Sequence, residues 1–327
     1  METKSVAVRV EGGKKKQKKG FFKTLKENWP LLLMAAPGLI WLVIFYYIPV
    51  AGNVVAFKNF KFAPDGGFID SIIGSEWVGL DNFKFLFSSS HAYIITRNTI
   101  LYNFTFIILG LVVAVSFGFI LSQLRSKQLV KTVQTSMLLP YFLSWVIVSF
   151  FVFAFISPDK GLVNRLIMDN GGVPTNWYVN QDVWPPLLVF LGIWKSIGYN
   201  TVIYFAAIVG IDKSYYEAAE MDGANKWQQI RHVLLPQIVP LMVVLTILGL
   251  GNIFRADFGL FYQIPRNSGV LFNVTAVLDT YIYNGLASTG NISMSTAAGL
   301  YQSLVGFIVL FTANSIVRRI DKESAMF

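Results

Sequence analysis

Residues 217–236 read EAAEMDGANKWQQIRHVLLP and lie between two apolar stretches of the 327-residue chain. The chemistry of this segment predicts a helix, a sharp turn and a second helix. Ser214, three residues before Glu217, forms a capping box in which the hydroxyl accepts a free helix N–H and the carboxylate reaches back to the cap N–H, so a short helix starts near Tyr215. Gly223 suits the left-handed residue just past a helix end. Asn225 with Gln228 reads as a second cap, opening a helix that runs toward Pro236. Glu217, Glu220 and Asp222 make the first unit negative, while Ala218 and Ala219 leave its surface free of bulk, so it can enter a groove on another protein.

The flanks of this segment set the class. Apolar residues make up 54% of the chain, aromatics 15% and charged residues only 14%, well below the quarter usual in soluble domains. This composition specifies a polytopic membrane protein. Six segments approach the roughly 20 residues that cross about 30 Å of hydrocarbon: 31–50, 100–121, 133–155, 186–209, 238–257 and 297–317. An even number of spans puts both termini on one side. Basic residues bias short flanks to stay inside, and 18 of the 27 lysines and arginines fall in the tail, the two loops and the C-terminal end on one side, against seven on the other. That places residues 210–237 and both termini in the cytoplasm. The net charge of +9 follows from this asymmetry and requires no nucleic-acid partner.

The N-terminal run KKKQKK, residues 14–19, precedes an apolar stretch long enough to span and lacking a small-residue cleavage site, so the first span is expected to stay uncleaved. Phe21, Phe22, Leu25 and Trp29 share one helical face, which suits a segment lying in the inner interface. On the outer side, the long loop between spans one and two carries the run Trp77, Val78, Gly79, Leu80, Asp81, Asn82, Phe83. Its Gly, Asp and Asn can cap a short helix whose Phe83, Leu86 and Phe87 lie against the bilayer or span two, a structural role.

Several activities are excluded. The chain has no cysteine and only two histidines, His91 and His232, far apart and without metal-ligand spacing. No G-x-x-x-x-G-K-[ST] phosphate loop occurs, and no convergent nucleophile or acid–base set is visible. No catalytic residue and no metal ligand is assigned.

Within the spans, a charge at mid-membrane costs about 2.5–3.5 kcal/mol on insertion scales, so Lys195 in span four and Arg255 with Asp257 near the end of span five should face a cavity, a partner or the interface. Trp194, Tyr199 and Asn200 surround Lys195, and Asn252 lies nearly one turn before Arg255. Together they offer aromatic faces and polar donors, which suit sugars. These seven residues are the candidate solute path. Gly249 and Gly251 are read as permitting close helix packing or a bend.

The spacing Glu217, Ala218, Ala219, three residues, Gly223, nine residues, Val233, one residue, Leu235, Pro236 resembles the cytoplasmic EAA loop of permease subunits in binding-protein-dependent ABC importers, with Val233 where isoleucine is usual. The 77–83 run is similar to a segment of sugar-importer permeases. Residues 249–252 (GLGN) and 255–263 (RADFGLFYQ), with Asp279, Thr280 and Tyr281, look like the fifth-span exit and its continuation in permeases for complex oligosaccharides. The resemblance is to the maltose-type carbohydrate class, and most closely to the Gram-positive lipoprotein-associated polysaccharide permeases.

That resemblance implies an all-α type I ABC importer permease fold with six transmembrane helices in the bacterial cell membrane. Residues 30–323 form the permease domain with its coupling loop at 210–237, residues 1–29 a basic cytoplasmic tail and interfacial segment, and residues 324–327 a cytoplasmic end. It implies contact of Glu217, Ala218, Ala219, Asp222 and Gly223 with an ATPase. The expected partners are a homologous second permease, two ABC ATPases that bind ATP and Mg, an extracellular solute-binding protein and a carbohydrate solute. The chain itself is expected to hold no cofactor. The alternatives are a permease for glycerol phosphate or a peptide, and a secondary transporter, for which Lys195 alone is poor support.

Overall fold

The computed structural model describes residues 28–320 and 325–326; the expectations for residues 1–27 lie outside them. The chain divides into two units, 1–53 and 54–327. In the first, α1 (Trp29–Leu42) continues through a π-helical turn at Val43–Tyr47 into Ile48–Ala51. Pro30 sits in the first turn, where its missing N–H is an orphan in any case.

The second unit opens on a segment before its first long helix. Strands β1 (Lys58–Asn59) and β2 (Glu76–Trp77) pair antiparallel with Lys58 opposite Trp77, and α2 (Phe68–Gly74) lies between them in sequence. The Asn82 amide donates to the carbonyls of Ala56 and Lys58, both at 2.9 Å. Phe57 stacks on Trp77 at 5.7 Å. Leu86, flanked by Phe83 and Phe85, packs with Ile95, Ile253, Phe254 and Leu278. The run at 77–83 thus has a structural role, but not through the expected caps: neither short helix here has a side-chain cap, and Asn82 instead locks the ribbon.

The long helices follow. α3 (Ser90–Ser122), capped by Ser89, has 33 residues and is about 50 Å long, so it extends beyond the hydrocarbon. Next come α4 (Lys127–Phe142), α5 (Trp145–Ile156), the short helix α6 (Leu162–Asp169) and α7 (Trp184–Val209). α8 (Lys213–Met221) leads to α9 (Lys226–Gly251), which contains a π-helical turn at Ile230–Leu234. The short helices α10 (Phe258–Gln263) and α11 (Leu278–Thr289) precede α12 (Ile292–Ile320). Among the described residues, five helical stretches are long and apolar enough to cross a membrane: that of α1, then α3, α7, α9 and α12. The fold is all-α and multi-pass.

Two expected spans differ from the sequence reading. The third, 133–155, is not one straight helix: α4 and α5 meet at 94°, the geometry of a broken span or of a re-entrant loop. Pro140 removes one helical hydrogen bond near the end of α4. Leu143 then turns extended, and Ser144 caps α5 by accepting the Val146 N–H at 3.2 Å. The fifth span ends at Gly251 rather than Asp257. Residues 252–257 leave the helix, and Asp257 caps α10 by accepting the Leu260 N–H at 3.3 Å.

The core joins α3, α5, α7 and α10 through Tyr102, Val148, Trp184, Leu188, Leu260 and Phe261. Glycines set its closest approaches. A Cβ on Gly198 of α7 would collide with the Met137 carbonyl of α4, and one on Gly251 with the Leu310 side chain of α12. Packing is therefore the role of Gly251.

Candidate functional site

The polar loop forms the helix, turn and helix that its sequence predicts, with one change of register. α8 begins at Lys213, and its cap is Asp212, whose carboxylate accepts the Ser214 N–H at 2.9 Å. That hydrogen bond holds the Asp212 carboxyl below its ordinary range. Asp212 stands one residue upstream of the helix and is an equally good cap, so Ser214 falls inside the first turn and the expected Ser214–Glu217 box does not form. Glu217 remains exposed on the helix surface.

The turn is as expected. Gly223 has φ +78°, the Gly223 N–H reaches the Glu220 carbonyl at 3.0 Å, and the Ala224 N–H reaches that of Ala219 at 2.9 Å. Asn225 and Gln228 form a reciprocal box: the Gln228 N–H donates to Asn225 Oδ1 at 2.9 Å and the Asn225 N–H to Gln228 Oε1 at 2.8 Å. A clamp not legible in the sequence crosses the turn. Lys226 Nζ lies 3.0 Å from Glu220 Oε1 and also donates to Gln229 Oε1 at 3.2 Å, while the buried Gln229 amide contacts Glu220 at 3.4 Å. The Lys226 hydrogen bond, then that of Gln229, holds the Glu220 carboxyl below its ordinary range. Exposed Ala218 and Asp222 stand beside the outward-pointing Met221 and Trp227. The π-helical turn follows directly. Pro236 lacks the N–H that would bond four residues back, to His232, and its ring crowds that carbonyl, so the helix widens just before it.

Lys195 lies at the break between α4 and α5. Its ammonium donates to the Tyr141 carbonyl at 3.2 Å and to the Leu143 carbonyl, and it lies 5.1 Å from the Trp145 ring. These carbonyls are the ones left open where α4 stops. Trp145 Nε1 in turn donates to Asp257 Oδ2 at 2.7 Å. Lys195 and Asp257 therefore brace the break between α4 and α5 and do not line the cavity of about 330 Å³ between α3, α7 and α9. Tyr199 stacks on Tyr141 at 5.1 Å, and Trp194 packs against the core; neither lines that cavity.

The other three candidates meet. Asn200, Asn252 and Arg255 line a cavity of about 330 Å³ between α3, α7 and α9. Asn103, Ser196, Tyr204 and Thr246 complete its polar wall, and Gly249 contributes backbone, so this glycine lines the cavity as well as packing against Ile107. The non-helical segment that carries Arg255 is pinned from three sides. Asn103 Nδ2 donates to the carbonyls of Ile253 and Arg255 at 2.9 and 3.1 Å. Gln302 Nε2 donates to that of Phe254 at 2.7 Å, and Asp279 Oδ2 accepts the Ala256 N–H at 2.7 Å. Burial raises the Asp279 carboxyl above its ordinary range, against the opposing pull of the Ala256 N–H, Gln302 and the charge of Arg255. Sequence reasoning missed Asn103, although an amide in the apolar run of α3 was a signal for it.

The family described as binding-protein-dependent transport system inner membrane component matches residues 106–322. The polygalacturonan/rhamnogalacturonan transport system permease protein YteP of Bacillus subtilis (strain 168) is 34% identical over 310 residues, 95% of this chain and 94% of that protein. The sn-glycerol-3-phosphate permease protein UgpA of Escherichia coli O6:K15:H31 (strain 536 / UPEC) is 29% identical over 281 residues, 86% of this chain and 90% of its own length. A chain in the crystal structure of a bacterial ABC transporter involved in the import of the acidic polysaccharide alginate superposes with a TM-score of 0.80 at 31% identity, covering 91% of this chain and 98% of that one. With its loop, its spans and these relatives in agreement, the chain belongs to the family of inner membrane components of binding-protein-dependent transport systems, as a permease subunit.

Proposed function

We propose that this permease takes up an oligosaccharide or polysaccharide fragment from an external solute-binding protein, as one half of a permease pair driven by two ABC ATPases. The observation that carries the solute is the cavity, whose wall of amides, hydroxyls and one guanidinium offers donors and acceptors of the kind sugar hydroxyls require. The names of YteP and of the alginate transporter support the same class.

The coupling element is the clamped loop. α8 presents Glu217, Ala218, Ala219 and Asp222 with Met221 to the ATPase, in the cytoplasm with both chain termini. The clamp Glu220–Lys226–Gln229 makes α8 and α9 move as one lever. ATP closes the ATPase dimer, the lever transmits that closure, and the cavity opens outward to the binding protein; hydrolysis restores the inward-facing state. The task of this chain is to keep the two states close enough in free energy for ATP and the loaded binding protein to choose between them.

The test is replacement of the chromosomal gene by an in-frame deletion. Uptake of labelled pectic or alginate oligosaccharides is expected to be lost, with monosaccharide uptake intact. Unchanged oligosaccharide uptake, or loss of glycerol phosphate uptake instead, would overturn the reading.

A further inference from the structure

The geometry points to Arg255 as a carboxylate-recognition residue that makes the membrane cavity selective for acidic sugars, an inference that rests on the cavity being the solute path. The side chains lining the cavity include one cation and no acid. The Arg255 side chain is exposed, and its one hydrogen bond among the described residues is a long one, Nη2 to the Ser303 hydroxyl at 3.4 Å. No carboxylate lies within ion-pair distance of it among the described residues. The acids nearby are occupied: Asp279 takes the Ala256 N–H and the Gln302 amide behind the segment, and Asp257 takes the Trp145 indole and caps α10.

The charge of Arg255 acts on Asp279 from a distance, but no ion pair forms between them among the described residues, so the guanidinium on the cavity wall keeps donors for an anion. Its planar fork fits a carboxylate with two parallel hydrogen bonds. The backbone of the segment is held by Asn103, Gln302 and Asp279, so the fork is presented from a fixed base. Asn200, Asn252 and Ser196 then supply neutral partners for the hydroxyls of the same residue. The matching ligand is a hexuronate unit, one carboxylate among several hydroxyls. A neutral hexose would leave Arg255 unpaired.

The absence of cysteine from the chain permits a direct test. Leu245→Cys places a single thiol on the cavity wall. In membranes carrying the whole transporter, its modification rate is measured with two thiosulfonates of similar size, one bearing a sulfonate and one a quaternary ammonium, each normalised to a small free thiol. The anionic reagent is expected to react about tenfold faster, within the range by which a charged cleft concentrates counter-ions, and the preference to collapse in Leu245→Cys with Arg255→Gln. An oligogalacturonate is expected to protect the thiol, and a neutral oligogalactan of equal length not to. A rate ratio unchanged by Arg255→Gln, equal protection by the neutral oligomer, or protection by neither overturns the inference. Because this measurement does not read transport, it fails separately from the uptake experiment above.

Discussion

The ammonium of Lys195 rests on the carbonyl oxygen of Leu143, where α4 ends and the chain bends by 94° into α5. One cation satisfies carbonyls left open by a broken helix, and so this charge is tolerated within an apolar span. Lys195→Met should lower the melting temperature of the detergent-purified complex, since hydrogen bonds to charged groups contribute about 1.5–3 kcal/mol. Lys195→Arg, which keeps donors in place, should recover most of the loss. Equal melting of Lys195→Met and wild type would show that the break stands without it.

Gly198 tests the same junction from the other side. Its α-carbon faces the Met137 backbone so closely that a methyl group has no room. Gly198→Ala is expected to destabilise the protein by about 1–3 kcal/mol through overpacking, and to reduce the yield of assembled complex in size-exclusion chromatography. Wild-type yield and melting would mean that α4 and α7 are free to separate.

Gly223 has φ +78°, and a Cβ there would meet nothing within 4 Å. The cost of a side chain is therefore conformational within this chain, about 1–2 kcal/mol, with further loss wherever an ATPase surface approaches. Gly223→Val should keep the protein in the membrane but depress solute-stimulated ATP hydrolysis and uptake together. Gly223→Asn, which tolerates the left-handed region, should be milder. If Val behaves like wild type in both assays, the loop is not the coupling element.

Asp279 makes stability pH-dependent with a defined sign. Burial raises its folded-state pKa above the ordinary 3.8, so the native state holds this proton over a window in which the unfolded chain releases it. Its contribution is fully present below the ordinary value and is lost as pH rises through the raised one. Asp279→Asn keeps an oxygen for the Ala256 N–H without the buried charge. It should melt higher than wild type at pH 8, with the gap closing toward pH 4. Asp279→Leu strands the donors of Ala256 and Gln302 and should cost about 1–3 kcal/mol at any pH. A constant gap between Asn and wild type across the range would contradict the assignment.

What the sequence made legible was local. Gly223, Asn225 and Gln228 carry their turn and cap within four to six residues, and the apolar runs mark the spans without reference to any neighbour. The register of α8 was misread because Asp212 and Ser214 are both good caps, and local chemistry does not rank them. The bend between α4 and α5 is contacted by Lys195, more than fifty residues downstream of it. Pro140 and Ser144 were visible hints, but neither alone ends a helix by 94°. The cavity needs α3, α7 and α9 together. Three of the seven candidate path residues, Asn200, Asn252 and Arg255, fell into it because they are polar at the right depth. Lys195, Asp257, Trp194 and Tyr199 are just as conspicuous but make contacts between helices outside that cavity. Polarity in an apolar run signals a role and does not say which.

The account stands on energy arriving from outside this chain. The most direct measurement is labelled oligosaccharide uptake by proteoliposomes made from whatever copurifies with the tagged chain, with ATP inside or outside and with the solute-loaded binding protein on the opposite face. The account predicts a complex of two permeases and two ATPases, with uptake only when ATP faces the Gly223 loop and loaded binding protein faces the other side. Uptake by the purified single chain, without ATPase subunits or ATP, would contradict it.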